Sequence, residues 1–150
     1  MSDFSEVGRF HQKFGLPVVN EVDRETVNPK LVPREVFEFR LRFLREELRE
    51  LTQAYEDGDL EVIADSLVDL VYVALGTAHF HGLPWEELFA EVQRANLSKE
   101  RAVSSEHSKR GSSLDVVKPA GWTPPQVGRI LLEHATRHLR ETRRDEQGNQ

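Results

Sequence analysis

Residues 43–69 read FLREELRELTQAYEDGDLEVIADSLVD, two helix-like segments on either side of a DGD turn. Before the turn, apolar side chains recur at alternating spacings of four and three residues, which indicates one continuous stripe along a helix: Phe37, Leu41, Leu44, Leu48, Leu51 and Tyr55. Residues 57–59 break this helix, and a second helix is predicted from about Leu60 to Phe80. Because a tight turn joins them, the two helices are predicted to be antiparallel neighbours.

Acidic side chains fall at similar heights on these two predicted helices. Glu47 and Glu50 lie about eight to eleven residues before the turn, and Asp65 and Asp69 lie about six to ten residues after it. In an antiparallel pair these carboxylates should meet, with Glu46 at the outer edge of the group.

Asp69 stands inside LVDLVYVALGTA, residues 67–78, which is apolar on nearly all sides of a helix. Such a helix is normally buried, and a buried ionised carboxylate is costly unless it is paired or coordinates a cation. Oxygen-only ligands suit Mg²⁺ or Mn²⁺, so the cluster predicts a metal site. The alternative is a solvated helix face on which Glu46 and Glu50 pair with neighbouring arginines. A helix this apolar also needs more neighbours than a few short helices supply, which predicts a homodimer or a larger assembly.

Helical periodicity continues through most of the remaining chain. Further helices are predicted over Phe4–Phe14, from Pro33 into the apolar stripe, from Pro84 to Asn96, and over Pro125–Arg143. Residues 18–32 are a polar connection, and residues 98–125 are predicted to be a long loop with no convincing strand pair. The pattern predicts an all-α helical bundle forming one domain over residues 1–150, with a frayed tail at about 144–150.

Composition narrows the class of protein. With 38% hydrophobic and 31% charged residues, the 150-residue chain is predicted to be soluble and globular. It has no charged and apolar leader and no apolar run of about 18 residues, so no membrane association is expected and a cytoplasmic location is predicted. The absence of cysteine excludes disulfides and thiolate sites, and a net charge of −6 argues against a nucleic-acid partner.

Two histidine pairs are weaker candidates for a metal site. His79 and His81 are two residues apart and point in different directions on a helix. His134 and His138 share a face, but no glutamate or third ligand accompanies them in the pattern of a zinc protease. Solvated or capping roles are predicted for both pairs.

The pattern E-E-x-x-E of Glu46, Glu47 and Glu50, followed one helix later by an acidic pair, resembles the MazG-like all-α nucleoside triphosphate pyrophosphohydrolases. The resemblance extends from FHQKFGLP near the start through YVALGTAHFHGL to RANLSK and KPAGWTPP. The usual second motif is E-x-x-D, whereas Ser66 stands three residues before Asp69. The ligand set at this corner is therefore open, and Asp65 is the residue that would take the acidic role. The resemblance implies Mg²⁺ bound by the acidic motifs and a homodimer or dimer of dimers. It also implies cleavage between the α and β phosphates, releasing a monophosphate and pyrophosphate.

The site residues then take specific expected roles. Glu47, Glu50, Asp65 and Asp69 would hold the metal, and Glu46 would orient or deprotonate the attacking water. The remaining candidates are expected to bind substrate: Asn96 and Lys99, which match the family's pattern, Lys118 in the loop that would close over the phosphates, and Trp122, which would stack on the base. The alternatives are ordinary solvated lysines and a tryptophan that anchors a turn.

Three functions remain open on these residues. The first is a nucleotide-pool pyrophosphohydrolase that acts on a nucleoside triphosphate, with dUTP or another deoxynucleotide as a candidate substrate. The second is phosphoribosyl-ATP pyrophosphohydrolase, which resembles the same family. The third is a helical dimerisation or regulatory module whose acidic cluster is a relic or binds metal only structurally.

Overall fold

The computed structural model describes residues 2–19 and 27–148, with side chains as far as Arg140. It confirms the all-α prediction, since helices account for most of the described chain: α1 (Asp3–Lys13), α2 (Arg34–Asp57), α3 (Leu60–Phe80), α4 (Trp85–Leu97) and α5 (Val127–Gly148). None of these helices is both long enough and apolar enough to cross a lipid bilayer. The predicted frayed tail lies partly outside the described residues, and α5 is helical as far as Gly148.

The turn between α2 and α3 is formed by local hydrogen bonds. Gly58 ends α2 in the left-handed conformation with a φ of 69°, which glycine adopts without steric cost. The N–H groups of Gly58 and Asp59 donate to the carbonyls of Tyr55 and Ala54 at 3.2 and 2.9 Å. The Asp59 carboxylate then accepts the N–H of Val62 at 3.1 Å and caps α3. This turn returns the chain beside α2, and α2 and α3 pack along each other as predicted.

Helix α1 packs on α3 through His79. The imidazole is 2% exposed and stacks on the Phe4 ring, with centroids 3.8 Å apart. Its Nε2 donates to the Phe4 carbonyl at 2.9 Å, and its Nδ1 accepts the N–H of Val19 at 3.0 Å. The predicted solvated or capping role of His79 is therefore wrong, because its two ring nitrogens form hydrogen bonds with backbone groups of two other segments. His81, in contrast, is the C-cap residue of α3.

Arg40 on α2 is also buried against α3. Its guanidinium donates to the Thr77 hydroxyl at 3.2 Å and to the Val73 carbonyl at 2.9 Å. A Cβ at Gly76 would lie 2.7 Å from Arg40 Nη2, so the absence of a side chain at residue 76 makes room for the guanidinium. Helix α3 thus packs against α1 through His79 and against α2 through Gly76.

The chain divides into two compact units, residues 1–84 with 134–150 and residues 85–133. The second unit contains a short antiparallel strand pair, β1 (Glu100–Arg101) with β2 (Val116–Val117). The prediction of a long loop without strands over residues 98–125 is wrong at these positions. Beside the strands, Asp115 accepts from the Ser108 hydroxyl and pairs with Arg110, both at 2.7 Å. One domain over residues 1–150 stays a prediction.

Candidate functional site

The five acidic residues predicted to form the site all lie on the α2–α3 pair, in the first unit. Glu46, Glu47 and Glu50 lie in the second half of α2, and Asp65 and Asp69 lie in the first half of α3. Glu47 and Asp69 are half-buried, whereas the other three are exposed. The two most enclosed carboxylates are thus one from each helix.

Glu47 lies at the electrostatic centre of this group. Burial raises the pKa of its carboxyl group, and the negative charges of Asp69, Glu50, Glu46 and Asp65 raise it further, in that order of effect. The structure therefore brings the five predicted acidic residues into one interacting cluster. Their individual roles remain predictions.

The cluster is looser than a formed metal site. Among residues 2–19 and 27–140, whose side chains the structure describes, no group of three or more His, Asp or Glu side chains is arranged to hold a metal ion. Ligands of one Mg²⁺ must come within about 2.1 Å of it, whereas the Coulomb repulsion between carboxylates extends over several ångströms. The carboxylates are consequently close enough to interact without converging on a single point. Their chemistry, oxygen-only and uniformly negative, fits a hard divalent cation.

A second candidate cluster lies in the other unit, around Trp122. The Lys118 ammonium is 4.2 Å from the centroid of the indole ring, and the Lys99 ammonium is 6.0 Å from it. Lys99 also donates to Asn96 Oδ1 at 2.8 Å, and the indole Nε1 donates to the Ala95 carbonyl at 2.8 Å. The structure therefore brings together all four predicted substrate-binding residues. Trp122 is held on α4 like a packing anchor while its ring attracts cations.

Residues 7–96 match the family model of phosphoribosyl-ATP pyrophosphohydrolase. The chain belongs to this family. The phosphoribosyl-ATP pyrophosphohydrolase family lies within the MazG-like all-α superfamily, which confirms the predicted relationship. A search of the curated proteins found no match.

Membership in the phosphoribosyl-ATP pyrophosphohydrolase family implies a pyrophosphohydrolase, an enzyme that hydrolyses a phosphoanhydride bond. The match includes the five carboxylates and ends at Asn96. Lys99, Lys118 and Trp122 lie beyond it, so the family match carries no information about these three residues.

Ser66 occupies the position at which the second acidic motif, E-x-x-D, usually has its glutamate. Ser66 is 2% exposed, whereas its neighbour Asp65 is exposed. Of the four carboxylates that raise the pKa of Glu47, Asp65 has the smallest effect. Asp65 is thus the carboxylate least coupled to the centre of the cluster, and its role as a ligand stays a prediction.

Glu91 and Arg94 on α4 were not among the predicted site residues. They form an ion pair at 2.8 Å, and the Glu91 carboxylate also accepts the N–H of Gln126 at 2.8 Å. Hydrogen bonds from Arg94 and from the Gln126 N–H lower the pKa of Glu91 to about 2. The spacing Glu-x-x-Arg indicates a helix-surface pair. The contact with Gln126 joins residues 35 positions apart and has no local sequence signal.

Proposed function

We propose that this protein is a divalent-cation-dependent pyrophosphohydrolase that cleaves a triphosphate between its α and β phosphorus atoms. The observation that carries the proposal is the set of four carboxylates whose charges raise the pKa of Glu47 across the α2–α3 pair. Carboxylates this close repel one another, and a bound cation relieves that repulsion. The family match supports the pyrophosphohydrolase chemistry.

Two substrate classes fit this chemistry. Phosphoribosyl-ATP is favoured by the matched family. A nucleoside triphosphate, such as dUTP or another deoxynucleotide, is favoured by the MazG-like pattern of the acidic residues. Both molecules carry a triphosphate, so the same carboxylates would serve either one, and the products would be the corresponding monophosphate and pyrophosphate.

The residues that would hold Mg²⁺, or Mn²⁺ in its place, are Glu47, Glu50, Asp65 and Asp69. A cation bound there would neutralise phosphate charge and make a water molecule more acidic. Glu46 is exposed, so its carboxylate is accessible to a water molecule. We assign it the role of orienting that water and accepting its proton.

Hydrolysis joins the water oxygen to one phosphorus of the α–β bridge and breaks that atom's bond to the bridging oxygen. Charge neutralisation and positioning account for most of the catalysis in reactions of this type. Lys99 and Lys118 would bind phosphate oxygens, and the Trp122 ring would stack on the base.

The decisive experiment measures pyrophosphate release from a panel containing phosphoribosyl-ATP, dUTP and other nucleoside triphosphates. We expect release with Mg²⁺ and none after dialysis against a strong chelator. Glu47→Gln should reduce turnover by roughly a hundredfold or more. Glu56→Gln, a matched loss of one exposed charge further along α2, should leave it unchanged. Stepwise release of orthophosphate would contradict the assignment, and inactivity on the whole panel would favour a non-catalytic helical module.

We further infer that the protein assembles as a homodimer or dimer of dimers. Apolar side chains on α3 remain exposed in the single chain, including Leu67 at 49%, Val68 at 63% and Val71 at 52%. Burying such a face against a second copy would remove apolar surface from water. The expected location is the cytoplasm, where nucleotide substrates are available.

A further inference from the structure

The segment that follows Trp122 is attached to α4 by two charged side chains. Glu91 Oε1 accepts the N–H of Gln126 at 2.8 Å. Arg94 donates from Nη1 to the Thr123 hydroxyl and from Nη2 to the Pro124 carbonyl, both at 3.3 Å. Because Glu91 and Arg94 also pair with each other at 2.8 Å, the two attachments form one continuous network.

Residues 122–126 have few backbone hydrogen bonds of their own. The sequence Trp-Thr-Pro-Pro-Gln contains two prolines, which lack an N–H donor and restrict the backbone to extended or turn conformations. The Trp122 N–H donates to the Pro119 carbonyl at 3.1 Å, which closes a turn on the preceding side. At the other end of the segment, the Gln126 carbonyl accepts the N–H groups of Arg129 and Ile130 at 3.1 and 3.3 Å. The bonds that hold the segment on α4 itself all involve side chains.

The segment places an aromatic ring beside two ammonium groups. Lys118 and Lys99 lie 4.2 and 6.0 Å from the centre of the Trp122 ring. None of the ion pairs in the described part of the chain includes either lysine. Two ammonium groups on one ring, without carboxylate partners, make a local surface that attracts anions.

We propose that Glu91 and Arg94 are positioning residues that hold segment 122–126 on α4, so that Trp122 and the two lysines are pre-arranged to bind the phosphates of the substrate. The inference rests on the proposed function, because it takes this lysine and tryptophan cluster to be the anion subsite of the pyrophosphohydrolase. Neither Glu91 nor Arg94 touches the substrate. Their contribution is to reduce the ordering that binding would otherwise require.

The first test follows Trp122 by fluorescence. Trp85→Phe leaves Trp122 as the single tryptophan of a chain that has two, and all variants are made in this background. We expect Glu91→Ala and Arg94→Ala to shift the emission to longer wavelength and to increase quenching by acrylamide about twofold, because the indole gains solvent access. Glu91→Gln should largely restore the original spectrum, since its amide oxygen can still accept the Gln126 N–H. Gln93→Ala, an exposed position on the same helix, is the matched control.

The second test measures binding of inorganic pyrophosphate without divalent cation, again through Trp122 fluorescence. Losing one charge-assisted attachment should weaken the affinity by roughly tenfold in Glu91→Ala. Lys118→Met should weaken it as well, because it removes an anion contact while the bonds of Glu91 and Arg94 to the segment stay in place. With substrate and Mg²⁺, Glu91→Ala should raise KM more than it lowers kcat.

These readouts separate the positioning role from the proposed reaction. Unchanged emission, quenching and pyrophosphate affinity in a folded Glu91→Ala protein, with folding checked by circular dichroism, would overturn the positioning role even if the enzyme is active. If Glu91→Ala does not fold, Arg94→Ala decides by the same three measurements. If the parent protein is inactive but the variants still show the expected changes in fluorescence and pyrophosphate affinity, only the pyrophosphohydrolase assignment is rejected and the positioning role stands.

Discussion

Acidification should destabilise the packing of α1 on α3 through one buried imidazole. His79 is held neutral by its contacts, because Nε2 carries the proton donated to the Phe4 carbonyl and Nδ1 accepts the N–H of Val19. A second proton at Nδ1 would face the Val19 N–H and break that hydrogen bond. The other titratable group acting on His79 among the described residues is His11, which is also a base and gives no compensation.

The size of the effect follows from the pKa of His79. Burial lowers it from 6.5 to about 4. Below pH 6.5 the unfolded chain binds a proton that the folded chain does not, so the stabilisation is complete above pH 6.5 and is lost as the pH falls towards 4. The loss amounts to about 2 kcal/mol at pH 5 and about 3 kcal/mol at pH 4.

Urea unfolding of the unmutated protein and His79→Gln tests this value. Glutamine does not titrate, and the other groups that titrate on acidification are common to both proteins, so their effects cancel in the difference. The difference in unfolding free energy should shrink by about 2 kcal/mol between about pH 7.5 and pH 5. A difference that stays constant over this range would refute the conclusion that His79 is buried in the neutral form.

Three further predictions concern the carboxylates, the turns and the assembly. In chelator, Asp69→Asn should be at least as stable as the unmutated protein. Adding Mg²⁺ should raise the melting temperature of Asp69→Asn less than that of the unmutated protein. If Asp69→Asn instead loses about 1–3 kcal/mol of unfolding free energy in chelator, Asp69 makes a structural hydrogen bond. Gly82→Ala should lower the free energy of unfolding by more than about 2 kcal/mol, and Gly58→Ala should lower it by about 1 kcal/mol. Both glycines have positive φ, but only at Gly82 would the new Cβ meet a backbone atom, Asn28 O at 2.5 Å, and comparative thermal melts measure the contrast. Light scattering at micromolar concentration should give a mass well above 17.3 kDa, and a monomer would contradict the proposed assembly.

The central helix pair could be predicted because its determinants are local. The apolar stripe of α2, the glycine at residue 58 and the capping aspartate at residue 59 are all visible in one short stretch of sequence. The heights of Glu47 and Asp69 follow from the same turn by counting residues, which is why the grouping of the carboxylates was predictable. The degree to which their side chains converge could not be predicted, because it depends on the side-chain rotamers.

The missed features depend on contacts between distant residues. The two-residue strands around Arg101 and Val116 have no alternating pattern long enough to recognise. The bond from Glu91 to Gln126 and the burial of His79 arise from tertiary packing, and a polar residue in a helix gives no local indication of which backbone group it will meet. A solvated or capping role was therefore predicted for His79, whereas its imidazole is buried and hydrogen-bonded inside the fold.

The two bonds of His79 also bear on the order of events in folding. They join residues 75 and 60 positions apart, whereas α2 and α3 are joined by a tight turn. Closing a long loop costs chain entropy before any contact repays it, so the α2–α3 hairpin should form in the folding transition state and α1 should dock afterwards. Replacing Phe4 by leucine should therefore accelerate unfolding and leave the refolding rate nearly unchanged. The amino-terminal helix would then join the α2–α3 pair after that pair has formed and leave before the pair separates.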